Sequence, residues 1–174
     1  VKAAQPGVVE GGIDALYRAV AEPDCLPDAL AQLAALVGGR TALLILHHGP
    51  GMASAVCSRG SDQRLVAPDS LRHAPDNPWT RTARRHPPGT VLLTDALVSR
   101  EELERSPFYE EVVRPLQIEH GMGCVFSVEG DRQAFVVVHR SARQGPFDEA
   151  AVRCYRDLVP HLNRVSRLWI GMTE

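Results

Sequence analysis

The sequence predicts an α+β fold: a central antiparallel sheet flanked by helices and closed by a long C-terminal helix. Three observations predict it. Two pairs of strand-like segments, each separated by turn chemistry, read as hairpins. A longer segment of mixed, partly helical character lies between them. An apolar seam at helical spacing ends the chain. Helices that alternate in this way with antiparallel strands are the pattern of an α+β domain.

Ile13, Leu16, Tyr17 and Val20 recur at i, i+3, i+4 and i+7, the period of an amphipathic helix. Residues 1–11 before it are expected to be flexible. Glu22-Pro23-Asp24 ends that helix. Pro27 suits the first turn of a second one, whose buried stripe is Leu30, Leu33, Leu36 and Val37 and whose stop is Gly38-Gly39. Thr41 to His47 and Ala53 to Cys57 then form the first hairpin around Gly49-Pro50-Gly51.

Residues 58–88 are polar and less regular, with a capped turn at Asp76-Asn77-Pro78-Trp79 and a stop at Pro87-Pro88-Gly89. Thr90 to Thr94 reads as a short strand. Ser99 and Glu102 have the spacing of a capping box. Ser106-Pro107 opens a further helix bearing Phe108, Tyr109 and Val112, which Pro115 closes. His120 to Val128 and Ala134 to Arg140 form the second hairpin about Glu129-Gly130-Asp131. Alternation puts His120, Met122, Cys124, Phe126 and Val128 on one face and Gly121, Gly123, Val125 and Ser127 on the other.

The last helix spans 147–170. Phe147, Asp148 and Val152 fit a hydrophobic staple around an Asp N-cap. Leu158, Leu162, Val165 and Trp169 make a single seam along about 22 residues, ~33 Å of helix. Pro160 lies inside it and predicts a kink, because proline removes one backbone bond and crowds the preceding turn.

Composition narrows the function. The chain has 174 residues, the usual size of one domain, and residues 1–174 are read as one. Its formal charge of −2 lacks the basic excess of a nucleic-acid-binding surface. No apolar run is long enough to span a membrane, and the N-terminal segment lacks the layout of a secretion signal. Cys25, Cys57, Cys124 and Cys154 form no C-x-x-C pair and read as free thiols of a cytoplasmic protein.

No cofactor, metal or catalytic site is expected. Cys57, Cys124, His47, His48, His120 and His139 lack zinc spacing. Gly49-Pro50-Gly51 and Gly121-Met122-Gly123 open no helix, so neither matches a phosphate-cradling loop. The carboxylates at Glu101, Glu102, Glu104, Glu110 and Glu111 suit exposed helix faces.

Two features suggest sites. Trp79, Phe108 and Tyr109 in the crossover, facing His120, Met122, Cys124 and Phe126 of the sheet, could wall a small-molecule pocket or simply fill a core. Leu158, Leu162, Val165 and Trp169, with Trp169 expected to be exposed, could cover the sheet or form a dimer and signalling surface. A ligand-free dimerisation module and a cysteine enzyme using Cys124 or Cys57 remain as alternatives.

Four groups of segments stand out for their order and spacing. Leu16-Tyr17-Arg18-Ala19-Val20 comes with Leu26-Pro27-Asp28-Ala29-Leu30, then Asn77-Pro78-Trp79. Arg105-Ser106-Pro107-Phe108-Tyr109 with Val113-Arg114-Pro115-Leu116 and His120-Gly121-Met122-Gly123 follow. Gly145-Pro146-Phe147-Asp148-Glu149 with Leu158-Val159-Pro160-His161-Leu162 complete the set. Together they resemble the N-terminal sensor region of LuxR-type helix-turn-helix transcriptional regulators. The resemblance implies a GAF- or PAS-like sensory domain, an unidentified small-molecule ligand or partner, and a homodimer. It also implies that DNA is reached only through a C-terminal domain that this chain lacks.

Overall fold

The computed structural model describes residues 6–49, 52–73, 77–127 and 132–172. Pro50, Gly51, Asp76, Val128 and the turn Glu129-Gly130-Asp131, all named in the sequence reading, lie outside the described residues, as does the side chain of His48.

Helix α1 (Pro6–Ala21) begins earlier than the apolar period suggests. Residues 6–11, expected to be flexible, are part of it. Proline is well placed in a first helical turn, because its missing N–H would have no partner there. Leu16 and Ala19 of α1 pack against Leu30 and Leu33 of α2 (Leu26–Leu36). Gly38 ends α2 in the left-handed region at φ 66°, and Gly39 N–H donates to the Ala34 carbonyl at 2.8 Å. Glycine suits this position because it has no Cβ to clash.

The sheet has five strands, β1 (Thr41–Gly49), β2 (Met52–Cys57), β3 (Leu92–Leu93), β4 (His120–Ser127) and β5 (Gln133–Arg140). Their order is β2-β1-β5-β4-β3, and each adjacent pair is antiparallel. Both expected hairpins are present, and β1 and β5 join them through the centre of the sheet. Val137 is opposite Leu43 on one side and Gly123 on the other. The short strand expected at 90–94 is β3.

The crossover from β2 to β4 holds a 3-10 turn at Gln63–Val66 and short helices α3 (Pro68–Arg72), α4 (Pro78–Ala83), α5 (Thr94–Leu97) and α6 (Arg100–Glu104). The N-cap side chains predicted at Asn77, Ser99 and Ser106 accept backbone amides. Asn77 Oδ1 accepts the Trp79 and Thr80 amides. Ser99 Oγ accepts from Glu102, and Ser106 Oγ from Tyr109. The helix expected after Ser106 is present from residue 107, but its middle, Tyr109–Val113, is π-helical before it runs into α7 (Arg114–Leu116). Pro115 therefore lies within α7 rather than closing the element, and the stop is Gln117 in the left-handed region.

Helix α8 (Glu149–Met172) continues unbroken through Pro160. Asp148 caps it, with its Oδ1 accepting the Ala151 amide at 2.8 Å. Among the described residues, no helix is long and apolar enough to cross a membrane.

The two sheet faces are covered differently. One carries Ala42, Leu44, Met122, Phe126, Val136 and Val138 and packs under α1, α2 and α8. The other carries Leu43, Ile45, Val125, Phe135 and Val137 and lies under the crossover. Arg140 ties the helical layer to the sheet. Its buried guanidinium donates to the carbonyls of Val37, Gly38 and Pro146 at 2.8–2.9 Å and stacks 4.2 Å over the Phe147 ring.

Candidate ligand site

A cavity lies between the sheet and the crossover, with about 920 Å³ of empty space including its mouth to solvent. Its floor is the crossover-facing side of the sheet: Leu43 and Ile45 of β1, Val125 of β4, and Phe135, Val137 and His139 of β5. Its roof includes Trp79, Ala83, Leu97, Phe108, Val112 and Ile118.

The roof aromatics are set by local structure. The Asn77 cap and Pro78 fix the first turn of α4 and so deliver Trp79 inward, where it is 5% exposed. The Trp79 and Phe108 rings meet edge to face, centroids 5.5 Å apart. Edge-to-face packing lets the positive rim of one ring meet the negative face of the other. Trp79 also lies 6.0 Å from the His139 ring.

Polar groups at the cavity are few. His47 Nδ1 accepts from Arg84 Nη2 at 3.3 Å, and its ring packs 4.9 Å from Phe135. Thr94 Oγ1 accepts the Gly121 amide at 2.7 Å. His139 is buried, and its Nδ1 has no hydrogen-bond partner. Burial pushes the His139 pKa down to about 4, although a hydrogen bond with the His120 backbone works the other way. The ring is therefore neutral near pH 7. Among the described residues, none of those lining the cavity is Asp, Glu, Lys or Arg.

A smaller space of about 340 Å³ adjoins the first, since Trp79 and Thr94 line both. It is more polar, with Asp95, Arg100 and Glu119 in its wall.

Of the expected pocket residues, Trp79, Phe108 and Cys124 line the cavity. Tyr109 belongs to the same buried cluster but not to the lining, and its hydroxyl accepts from Arg100 Nη2 at 2.7 Å. The sheet side of the expected pocket needs correction. Met122 and Phe126 point into the core under α1, α2 and α8, and the Cys124 side chain packs there too. His120 instead pairs with Asp95, Nδ1 to Oδ1 at 2.9 Å.

The alternation along β4 is as expected, but the roofed face is the one that carries Gly121, Gly123 and Val125. The floor residues Ile45, Phe135, Val137 and His139 were missed for the same reason. Two glycines on one strand face were the available signal, because they leave room above the sheet.

The C-terminal seam also needs correction. Leu158, Leu162, Val165 and Trp169 are all buried in the domain's own core. Trp169, expected to be exposed, is 6% exposed and donates its indole N–H to the Ala19 carbonyl. The seam covers the sheet and α1, and Tyr17 and His161 strengthen that contact with a 3.2 Å hydrogen bond.

Neither cysteine has the environment of a nucleophile. Burial pushes the Cys124 thiol up to about 12, and burial likewise raises Cys57. Among the described residues, no group of three or more His, Cys, Asp or Glu side chains could hold a metal ion.

No family model and no curated protein sequence matches the chain. Solved structures do. The ligand-binding domain of VqsR from Pseudomonas aeruginosa superposes with a TM-score of 0.72 at 12% identity, over 93% of this chain and 96% of that one. CepR2 from Burkholderia cenocepacia, an N-acylhomoserine lactone-dependent LuxR-family transcription factor, gives 0.69 at 14% identity, over 97% of each. A phycoerythrobilin-bound GAF domain from a cyanobacterial phytochrome gives 0.62 at 12% identity over both whole chains. The chain therefore has the α+β fold shared by the ligand-binding domains of LuxR-family regulators and by GAF domains.

Proposed function

We propose that this chain is the small-molecule-sensing input domain of a LuxR-type transcriptional regulator, acting by binding rather than catalysis. The observation that carries this reading is the roofed apolar cavity on one sheet face, with α8 packed on the other. Tyr155 of α8 donates its hydroxyl to the Val136 carbonyl at 2.7 Å, and Val136 borders the cavity. A ligand that binds the roofed arrangement more tightly than a looser one would shift the population of the two, and the sheet links that shift to α8.

In this reading α8 passes the bias to a DNA-binding domain outside this chain, in a cytoplasmic homodimer. The dimer expected from the seam would have to use an exposed part of α8 beside it, such as the flank where Leu168 is 44% exposed. The non-catalytic character is supported by the raised Cys124 and Cys57 thiols.

Native mass spectrometry of the purified chain tests the reading, with Ala83→Phe as a variant that fills the cavity from its roof. A co-purified small molecule in the wild type that is lost in the variant is the expected result. A variant that retains the same molecule at full occupancy would place the ligand elsewhere.

A further inference from the structure

The smaller space beside the apolar cavity holds a charge that its own wall does not match. Three ionisable side chains line it, Asp95, Arg100 and Glu119. Asp95 and Arg100 are about half exposed, and both have partners. Asp95 takes His120 Nδ1 at 2.9 Å. Arg100 pairs with Glu104 and donates to the Tyr109 hydroxyl at 2.7 Å. Glu119 differs in both respects. It is only 9% exposed, and it stands just before β4, where its Oε2 accepts the Ala142 amide at 3.0 Å. Its other oxygen, Oε1, has no hydrogen bond or ion pair among the described residues. That oxygen is not sealed. The fully buried, unmatched side-chain atoms among the described residues are His139 Nδ1 and Ser166 Oγ. Glu119 thus brings an open, unmatched carboxylate oxygen to the wall of this space.

A carboxylate stripped of most of its water needs a positive or strongly donating partner. Arg100 is taken up by Glu104, so Asp95 and Glu119 leave the wall with a negative excess. An anion would be repelled there. A metal ion needs several oxygen ligands, and among the described residues no group of three or more metal-ligating side chains exists. The rest of the wall is largely apolar, with Trp79, Val98 and Leu103.

We propose that this space is a second binding site, for a small primary amine in its ammonium form. Glu119 Oε1 accepts from the ammonium, and the hydrocarbon body lies against Trp79, Val98 and Leu103. This goes beyond the sensor reading and does not rest on it, because the apolar cavity and its ligand are separate.

The test is isothermal titration of the full chain near pH 7 with 2-phenylethylamine and, separately, with 2-phenylethanol, which has the same body but a neutral hydroxyl. The amine is expected to bind at least about tenfold tighter, the worth of one charge-assisted bond. It should also shift the Glu119 carboxyl resonance in 13C-glutamate-labelled protein. Glu119→Gln removes the charge but keeps an acceptor oxygen for the Ala142 amide, so there the two probes should bind alike. Ala83→Phe, which fills the apolar cavity, should leave the affinity for the amine unchanged.

Equal affinity for the two probes in the wild type, no binding of the amine, or a preference that survives in Glu119→Gln overturns the site. Loss of amine binding in Ala83→Phe would put the amine in the apolar cavity, which overturns the second site and leaves the sensor reading intact. If Glu119→Gln does not fold, the wild-type pair and the carboxyl resonance decide alone.

Discussion

Tyr155 and Val136 join the long C-terminal helix to the central strand of the sheet. Tyr155 is fully buried in α8, and its hydroxyl donates to the Val136 carbonyl at 2.7 Å. Val136 belongs to the central strand and borders the cavity from below. Burial holds the phenol well above its ordinary pKa, so it stays a donor. Tyr155→Phe should cost about 1 kcal/mol in urea unfolding. It should also weaken the response of α8 to ligand, read as amide exchange along the helix with and without the co-purified molecule.

Arg140 should be among the least replaceable side chains. It joins the end of α2, the end of β5 and the loop before α8 through three carbonyls and the Phe147 ring. Lysine keeps the charge but not the planar fork that reaches three acceptors. Arg140→Lys should destabilise the domain by on the order of 3 kcal/mol. Thermal melts of Arg140→Lys beside the wild type would measure it.

Gly123 and Gly11 should respond in opposite directions to alanine. A Cβ at residue 123 would sit 2.5 Å from the Val136 carbonyl oxygen and 3.0 Å from Val137 Cα, atoms that cannot withdraw without disturbing the central pairing. Gly123→Ala should cost roughly 2 kcal/mol or more. Gly11 lies in α1 with nothing within 4 Å of such a Cβ. Gly11→Ala should stabilise by about 0.5–1 kcal/mol, because alanine loses less backbone freedom in a helix. Parallel urea titrations give both signs.

His139 makes stability depend on mild acid. The unfolded ring takes up its proton near 6.5, whereas the folded ring resists down to about 4. Its contribution is therefore complete above about pH 6.5 and is lost progressively as the pH falls toward 4. A difference of this size is worth on the order of 3 kcal/mol. Unfolding free energies measured between pH 7 and pH 4 should fall less steeply in His139→Phe than in the wild type. Identical slopes would show that the native ring is protonated as easily as the unfolded one.

Much of the fold was written in short-range patterns. Asn77, Ser99, Ser106 and Asp148 announced helix starts, since a cap is a bond between a side chain and an amide two or three residues away. The paired strands and the α8 seam were equally plain, because periods of two and 3.6 follow from backbone geometry. The helical start at Pro6 and the π-helical turn at Tyr109 were not plain. The first precedes the apolar period, and the second differs from an α-helix only in the register of its backbone bonds.

The site was half legible. Trp79 and Phe108 could be placed in a pocket roof because they follow readable caps in the segment that crosses the sheet. The floor could not. Period-two alternation divides His120, Met122, Cys124 and Phe126 from Gly121, Gly123 and Val125, yet it is symmetric with respect to which set is roofed. The same limit misjudged Trp169, whose burial depends on α1, some 150 residues earlier in the chain.

Sequence-local geometry thus settled the α+β class, the hairpins and the long final helix. The packed structure settled which sheet face holds the cavity, that the α8 seam is buried at home, and that His139 Nδ1 is buried without a partner. Those outcomes depend on contacts between segments distant along the chain, where burial and hydrogen-bond matching are decided collectively rather than by any residue's neighbours in sequence.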